Sequence, residues 1–195
     1  MKIGVFGGSF NPIHNGHIQI VLEAIKILNL DRIIVVPVGV PSHRVDVIEG
    51  IHRCRMCKLA FEDFDVKDKI IISDIEVNSS ETSYTYDTLV KLKEVYKGDE
   101  FYEIIGEDSA NNFKIWRDNE KILEDSKVTV FKRKGDNNLK IDECLKEKML
   151  ILDTPYFEYS STEIREKIVK KEKIDGLLPK KVIQYITQKN LYQGG

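Results

Sequence analysis

Residues 7–17 of the chain read Gly-Gly-Ser-Phe-Asn-Pro-Ile-His-Asn-Gly-His. An apolar run from Ile3 to Phe6 stands directly before them and is typical of a buried strand. Behind them, apolar side chains recur every three or four residues, which is typical of a helix. These side chains are Ile18, Val21, Leu22, Ile25 and Leu28. The pattern predicts that residues 7–17 form the turn from a first strand into a first helix.

This turn has the composition of an anion-binding loop. Gly7, Gly8 and Gly16 let the backbone approach a ligand closely. The N-terminus of the following helix offers unpaired N–H groups to an anion. The imidazoles of His14 and His17, three residues apart, can face the same phosphate. The turn is therefore predicted to handle a triphosphate.

Two better-known phosphate motifs are missing from the sequence. There is no G-x-x-x-x-G-K-[ST], which argues against a P-loop, and no G-x-G-x-x-G, which argues against a dehydrogenase. A purely structural interpretation also exists, in which His14 and His17 cap the helix and the glycines only make the turn. The strand directly upstream and the Gly-Gly-Ser-Phe-x-Pro sequence favour the phosphate-binding interpretation.

Length and composition fit an ordinary globular enzyme. The 195 residues are enough for one sizeable α/β domain, 1–195, with a C-terminal helical part from about residue 160. A net charge of −2 does not favour a nucleic-acid partner. The chain enters a strand at once, without a signal peptide, and has no apolar run of transmembrane length. A cytoplasmic protein without a membrane partner is expected.

Predicted strands and helices alternate along the chain. The strands are Lys2–Phe6, Arg32–Val36, Lys69–Ile75, Phe101–Ile105, Val128–Phe131 and Met149–Leu152. The helices are about His17–Leu28, Gly50–Phe64, Tyr86–Tyr96, Glu107–Phe113, Glu120–Leu123, Ile141–Glu147, Ser161–Val169 and Lys180–Lys189. The alternation predicts an α/β fold with a doubly wound, mainly parallel sheet and helices on both faces. Ligands bind such sheets beyond the carboxyl ends of the strands, where the histidine loop leaves the first strand.

The cysteines do not indicate a metal or redox centre. Cys54 and Cys57 form a C-x-x-C pair, but the second ligand pair of a zinc site is missing. The pair lies inside a helical pattern, which favours inert helix residues. The third cysteine, Cys144, stands alone.

A second candidate anion site lies near the C-terminus. Residues 159–165 read Tyr-Ser-Ser-Thr-Glu-Ile-Arg, with hydroxyls at the start of a predicted helix. Arg165, one turn later, can bind phosphate oxygens bidentately. Ser160 with Glu163 is predicted to form a capping box at this helix start. The structural alternative is that the segment is only this capping box, with a solvated arginine.

Both segments resemble signatures of the nucleotidyltransferase superfamily. Residues 14–17 match its H-x-G-H pattern, and residues 159–165 resemble I-S-S-T-x-I-R with Tyr159 in place of the usual isoleucine. Together with the segments between them, they make the chain similar to bacterial nicotinate-nucleotide adenylyltransferases from Lys2 to about Tyr192. These segments are Pro37–Arg44, Arg53–Ala60, Ser83–Leu89, Ile105–Ser109 and Phe113–Arg117. The resemblance implies a Rossmann-like nucleotidyltransferase fold.

The resemblance also implies a reaction. The family transfers the adenylyl group of ATP to nicotinate mononucleotide, which gives deamido-NAD and pyrophosphate in NAD biosynthesis. Such a transfer needs no nucleophilic side chain, because the protein has to align two anions and spread the charge that develops. Mg²⁺ is the expected cofactor, held mostly by ATP and water, since the sequence shows no cluster of metal ligands.

Single positions receive roles from the same resemblance. His14, His17 and Arg165 are expected to be catalytic and to meet the ATP phosphates from two sides. Trp116 is expected to stack on the pyridine ring, and N–H groups at Thr85 to meet the nicotinate carboxylate. The further residues expected to bind ATP are Gly7, Gly8, Ser9, Phe10, Gly16, Gly106, Asp108, Ser160 and Ser161. Those expected to bind nicotinate mononucleotide are His43, Arg44, Thr85, Tyr86, Trp116 and Arg117.

Three positions depart from the family pattern. Asn11 stands where the family usually has aspartate, Ser42 where a second proline is frequent, and Glu107 where alanine is common. None of these changes removes a group that the chemistry requires.

Other interpretations stay open from the sequence. The acceptor can be nicotinamide mononucleotide or phosphopantetheine, or the chain can be a non-catalytic nucleotide-binding protein on the same fold. Trp116 can be a core residue, Thr85 a helix cap, and Asp108 a first-turn acid favoured by the helix dipole. The apolar helix faces leave open whether the chain forms a homo-oligomer.

Overall fold

The structure is a computed structural model that describes residues 1–40, 47–133, 139–154 and 160–193. The strands are β1 (Lys2–Gly8), β2 (Arg32–Pro37), β3 (Ile70–Ile72), β4 (Glu100–Gly106), β5 (Thr129–Arg133) and β6 (Leu150–Thr154). The helices are α1 (Asn15–Ile27), α2 (Gly50–Phe61), α3 (Thr85–Val95), α4 (Glu107–Asn111), α5 (Asn119–Asp125), α6 (Glu143–Lys146), α7 (Ser161–Val169) and α8 (Lys180–Gln188). Short 3₁₀ turns cover Lys67–Lys69 and Phe113–Ile115. Every predicted strand and helix is confirmed, and the ends differ by at most three residues.

The strands form one six-stranded sheet in the order β3-β2-β1-β4-β5-β6. All neighbouring strands are parallel. In this register Val5 of β1 lies between Ile34 of β2 and Glu103 of β4. The strand order reverses at β1, so the gap between the carboxyl ends of β1 and β4 is the place where doubly wound sheets bind ligands. The predicted doubly wound parallel sheet is confirmed.

Apolar side chains cover both faces of this sheet. Along β2, Ile33 and Val35 join one buried cluster with residues of α1, α2 and α8. The alternate residues Ile34 and Val36 join a second cluster with Leu89 and other residues of α3. Since successive side chains of a strand point to opposite faces, helices lie on both sides, as predicted. Burying one such Ile or Val contributes roughly 1.5–3 kcal/mol.

The chain after β6 returns to the first half of the sheet. Leu178, Val182 and Ile186 of the α8 region are buried in the same cluster as Ile18 and Val21 of α1. The spacing of Val182 and Ile186 places both on one face of α8. This packing brings the C-terminal segment next to the histidine loop.

The three cysteines lie in the structure as free thiols. Cys54 and Cys57 are buried on α2, Cys144 is exposed, and all three are free thiols. Burial raises the pKa of the Cys54 and Cys57 thiols, which keeps both protonated and unreactive.

Within the described residues, no helix has both the length and the apolar character needed to span a membrane.

Candidate functional site: two anion cradles and an acceptor turn

Apolar side chains buried in the core anchor the loop between β1 and α1. Phe10 and Ile13 are fully buried, and Phe10 packs against Phe6 with 5.5 Å between the ring centroids. Phe10 has a left-handed backbone with φ of 44°, and the Asn11–Pro12 peptide bond is cis. Because the Phe10 side chain is in the core, this expected ATP-binding residue can meet a ligand only through its backbone.

His14 and His17 cap α1 with each other's backbone. His14 is the N-cap residue, and its Nδ1 accepts the His17 N–H at 3.4 Å. In return, the Nδ1 of His17 accepts the His14 N–H at 3.3 Å. The two rings stack with 3.7 Å between their centroids. Both histidines therefore cap the helix, as the structural interpretation predicted, and each uses only its Nδ1 atom for the cap.

This capping determines where the imidazoles carry their protons. An Nδ1 that accepts a backbone N–H has no proton of its own, so the neutral ring carries its hydrogen on Nε2. Burial lowers the pKa of His14 from 6.5 to about 4, which keeps that ring neutral at pH 7. Nε2 lies on the opposite side of each ring from the cap. His14 is therefore an N–H donor rather than a cation.

The second predicted anion site starts at α7, and its local structure differs from the prediction in one respect. Ser160 is the N-cap residue, but its side chain makes no capping hydrogen bond, so the predicted capping box with Glu163 is wrong. Glu163 is exposed to solvent instead of turning back to the cap. The hydroxyl of Ser161 donates to the carbonyl oxygen of Pro12 at 3.0 Å. The start of α7 is thus held by the bond from Ser161 to the histidine loop and not by a side-chain cap at Ser160.

Arg165 and Tyr192 complete the contact between the two sites. The Nη1 of Arg165 donates to the carbonyl oxygen of Asn11 at 2.8 Å, and its Nη2 donates to the Thr162 hydroxyl at 3.3 Å. The Tyr192 hydroxyl donates to the Asn11 Oδ1 at 2.9 Å. Burial raises the pKa of Tyr192, so this hydroxyl keeps its proton. The structure brings together the histidine loop and the α7 start, which lie about 150 residues apart in the sequence.

The C-terminal segment also holds the start of α1. The Asn15 N–H donates to the carbonyl oxygen of Leu177 at 3.0 Å. The Asn15 side chain donates to the carbonyl oxygen of Gly176 at 2.7 Å. Sequence reasoning missed Asn15 and Tyr192, because their partners lie more than 160 residues away and no local pattern announces them.

The end of β4 faces the same gap. Gly106 is the last residue of β4 and the N-cap residue of α4, and no side chain caps that helix. Asp108 is exposed in the first turn of α4, while Glu107 is buried. The Oε1 of Glu107 has no hydrogen-bond partner within the described part of the chain. Of the two acids, Asp108 is the one that a ligand can reach.

The residues expected to bind the acceptor lie on two neighbouring segments. Thr85 begins α3 and is not its cap, since Tyr84 is the N-cap residue and makes no side-chain cap. Trp116 follows the second 3₁₀ turn, is half-buried and packs on Phe113 with 5.3 Å between the ring centroids. Tyr86 packs against the same apolar cluster as Trp116.

Arg117 connects these two segments. Its Nη1 lies 3.2 Å from the Asp87 Oδ2 in the first turn of α3, and its guanidinium lies 4.7 Å from the Tyr84 ring centroid. The turn at Thr85 and the turn at Trp116 are therefore adjacent. The remaining two expected acceptor residues, His43 and Arg44, lie outside the described residues.

Arg53 is a further residue that sequence reasoning missed as part of the site. Its side chain is only 1% exposed and donates to the carbonyl oxygens of Ser9 and Gly39, in the loops after β1 and β2. The available signal was an arginine between buried apolar positions of a helix, two of them Met56 and Cys57. Buried arginines need partners, so such a position indicates a polar network.

The site has few groups that would bind a metal directly. Within the described ranges, no group of three or more His, Cys, Asp or Glu side chains is placed to hold a metal ion. Apart from the carboxylate of Asp108, the groups at the gap are imidazoles, hydroxyls, backbone N–H groups and a guanidinium, which suit anions.

Comparison with known proteins identifies the class first. The cytidylyltransferase-like family matches residues 5–167, which include the histidine loop and the start of α7. The chain is 49% identical over 190 residues to the probable nicotinate-nucleotide adenylyltransferase of Fusobacterium nucleatum, covering 95% of this chain and 97% of that protein. It is 37% identical to the protein of the same name from Clostridium novyi, over 98% and 99% of the two chains. The chain therefore belongs to the cytidylyltransferase-like nucleotidyltransferases, and among them to the nicotinate-nucleotide adenylyltransferases.

A solved structure supports the same assignment. The nicotinic acid mononucleotide adenylyltransferase of Plasmodium falciparum, complexed with NaAD, superposes with a TM-score of 0.83 at 28% identity. The match covers 100% of this chain and 98% of the Plasmodium chain. The same enzyme complexed with APC gives a TM-score of 0.82 at 27% identity. The expected Rossmann-like nucleotidyltransferase fold is confirmed.

Proposed function

We propose that this protein transfers the adenylyl group of ATP to nicotinate mononucleotide and releases pyrophosphate, which forms deamido-NAD in NAD biosynthesis. The relatives and the solved structure carry names of this activity. The observation that carries the proposal is the direct contact between the two anion cradles. Arg165 and Ser161 of α7 are hydrogen-bonded to the backbone of the histidine loop at Asn11 and Pro12.

The chemistry follows from this arrangement. A phosphate oxygen of the acceptor attacks the α-phosphorus of ATP, the new P–O bond forms, and the bond to the pyrophosphate group breaks. Catalysis then consists of aligning both reactants and stabilising the charge that develops on the phosphoryl oxygens. His14 and His17 donate from Nε2 to these oxygens, and Arg165 supplies the positive charge. A neutral imidazole costs less to bury than a cation, which suits the buried position of His14.

ATP is bound by backbone groups more than by side chains. We assign the phosphates to the N–H groups of the loop residues and of the α7 start, where no side chain occupies the cap. Gly106 lets the nucleoside approach the end of β4, and Asp108 contacts ribose or the metal shell. The loop and α7 residues in this role are Gly7, Gly8, Ser9, Phe10, Gly16, Ser160 and Ser161.

The acceptor lies against the turns at Thr85 and Trp116. The indole of Trp116 stacks on the pyridine ring, and the first N–H groups of α3, at Thr85 and Tyr86, meet the nicotinate carboxylate. Arg117 holds the two turns together through Asp87. His43 and Arg44 are proposed, from the sequence alone, to bind the acceptor phosphate.

Mg²⁺ enters the reaction as part of the nucleotide. Since the described residues form no carboxylate cluster, the ion would be held mostly by the ATP phosphates and water. It would supply charge neutralisation at the triphosphate.

The test is pyrophosphate release with Mg²⁺-ATP and one of three acceptors. Nicotinate mononucleotide is expected to react fastest, ahead of nicotinamide mononucleotide and phosphopantetheine. A preference for another acceptor would retain the histidine chemistry and refute the acceptor assignment. Folded protein that binds ATP and reacts with none of the three would support the non-catalytic alternative.

A matched pair of histidine variants tests the loop. His17→Ala is expected to lose nearly all turnover while part of the ATP binding remains. Because His17 also caps α1, this variant loses about 1 kcal/mol of stability as well, so folding is checked by thermal melting. His52→Ala is the control, since His52 lies on α2 and bonds the Tyr185 hydroxyl at 2.8 Å. A folded His17→Ala protein with full turnover would contradict the proposed chemistry.

A further inference from the structure

Arg53 of α2 is one of the most deeply buried side chains of the protein, at 1% exposure. Burial lowers the pKa of its guanidinium, which nevertheless remains charged because arginine is a very strong base. A buried cation destabilises a fold unless its hydrogen atoms find acceptors. The hydrogen-bond partners of Arg53 therefore indicate the structural role of this side chain.

The acceptors are three backbone carbonyl oxygens from three different segments. Arg53 Nε donates to Ile48, just before α2, at 2.9 Å. Its Nη1 donates to Ser9, in the loop after β1, at 3.0 Å. Its Nη2 donates to Gly39, in the loop after β2, at 3.3 Å. One planar group thus fixes two neighbouring loops at the carboxyl edge of the sheet relative to each other.

Gly39 is also held from its other side. Its N–H donates to the Glu76 Oε2 at 3.3 Å, and Glu76 is buried. A Cβ atom at position 39 would lie 2.1 Å from the carbonyl oxygen of Glu76, so only glycine fits here. The position of this backbone segment is therefore closely defined.

Glu76 continues the chain of contacts to α3. Its Oε1 accepts the hydroxyl of Thr88 at 2.6 Å, inside the protein. Thr88 lies one turn after Thr85, the start of α3 that the proposed function assigns to the acceptor carboxylate. Hydrogen bonds thus lead from the histidine loop through Arg53, Gly39 and Glu76 to the acceptor-binding end of α3.

We propose that Arg53 and Glu76 are positioning residues that set the distance between the ATP loop and the acceptor turn. This inference rests on the proposed function for its kinetic consequence. Transfer between two bound substrates requires the reacting atoms to lie about 3–3.5 Å apart, and a displacement of about 1 Å costs about 100-fold in rate. Neither residue has to touch a substrate for this effect.

Arg53→Met removes the hydrogen bonds and keeps a long side chain. It is expected to lower kcat about 100-fold, while the KM for ATP stays within about threefold of the wild-type value. Arg53→Lys keeps the charge without the planar fork, so it should give an intermediate kcat. The matched control is Met56→Ala on the same helix, because Met56 is fully buried in the core and its truncation leaves a cavity without removing any of the three Arg53 hydrogen bonds. That control should lower the melting temperature and leave kcat unchanged.

A second variant tests the other end of the same contacts. Thr88→Val leaves one oxygen of Glu76 without its donor and is expected to lower kcat about tenfold. It is a small change that should fold even where Arg53→Met does not. Unchanged kcat in a folded Thr88→Val protein would argue against the proposed connection.

Amide hydrogen exchange tests the inference without a measurement of turnover. In Arg53→Met, exchange should rise in residues 7–17 and at Val38 and Gly39, while β5 and α8 keep wild-type protection. Equal kcat in Arg53→Met and Met56→Ala, or exchange that rises evenly over the whole chain, would overturn the inference. Failure of the proposed function looks different: the wild-type protein would then release no pyrophosphate, whereas the local exchange change would persist.

Discussion

The proposed ATP side and the proposed acceptor side of the site are built in different ways. The histidine loop is held by hydrogen bonds of buried or half-buried side chains: the reciprocal cap of His14 and His17, the Arg165 bond to Asn11 and the Arg53 bond to Ser9. On the proposed acceptor side, the turns at Thr85 and Trp116 are held to each other by the exposed pair of Arg117 and Asp87 and by half-buried aromatic rings. The helix behind Thr85 is fixed by the buried bond from Thr88 to Glu76. Buried hydrogen bonds to charged groups are stronger than exposed ion pairs.

This difference suits the two tasks. Adenylyl transfer requires the phosphates and their donors to stay aligned through the reaction, so rigidity on the ATP side is useful. The acceptor side only has to select and orient a ring and a carboxylate, and an exposed pair can adjust to that ligand. We therefore expect variants on the proposed ATP side to change kcat, and variants of the side chains proposed to touch the acceptor, such as Trp116, to change KM.

The largest effect is expected for Arg165→Ala. The variant removes the positive charge near the phosphates and the hydrogen bond to Asn11, so kcat should fall by about 100- to 1,000-fold in steady-state pyrophosphate release. Arg165→Lys restores charge without the bidentate fork and should recover only part of the rate. Ser161→Ala is the control for the packing of α7, since it removes only the bond to Pro12. Wild-type kcat in Arg165→Ala would contradict the proposed role.

The pH dependence of stability gives the next largest effect. His14 has a folded-state pKa of about 4 against 6.5 for the free side chain, so the unfolded chain takes up the proton first as the pH falls. The contribution of His14 is complete above pH 6.5 and is lost as the pH falls towards 4, by about 3 kcal/mol. Urea unfolding of the wild type and of His14→Gln between pH 7 and pH 4 measures this as a difference in slope. Parallel slopes would show that His14 is not buried as a neutral ring.

On the acceptor side, Trp116→Ala is expected to raise the KM for nicotinate mononucleotide about tenfold through loss of ring stacking. The KM for ATP should stay unchanged, because the proposed function assigns Trp116 to the acceptor and not to ATP. Trp116→Phe keeps an aromatic face and should recover most of the affinity. Since Trp116 also packs on Phe113, the melting temperature of each variant is measured beside the kinetics. An equal rise in both KM values would remove the distinction between the two sides.

The smallest effect is expected for the exposed pair itself. Arg117→Ala and Asp87→Asn should each change the free energy of unfolding by less than about 1 kcal/mol, and less at high salt. The double variant measures the coupling between the two side chains. A coupling as large as that of a buried pair would show that the acceptor side is as rigid as the ATP side.

Much of the fold was predictable from local patterns. Every strand and helix was predicted within three residues of its observed ends, because apolar periodicity and the alternation of strand and helix are strong signals in a parallel sheet. The capping box at Ser160 and Glu163 was predicted wrongly, because the same residue pattern caps some helices and leaves others open. The reciprocal cap of His14 and His17 was weighed only as an alternative to phosphate binding. The two interpretations are compatible, because the cap uses the Nδ1 atom of each ring and the proposed phosphate contact uses Nε2.

The sequence by itself determined the doubly wound sheet, the place of the histidine loop at the end of the first strand, and the family to which the chain belongs. These properties depend on periodicity and on short motifs, which are local. Only the tertiary structure decided that Arg165, Tyr192 and Arg53 converge on that loop. Contacts between residues 44 to 181 positions apart leave no local pattern, because they arise from how the elements pack.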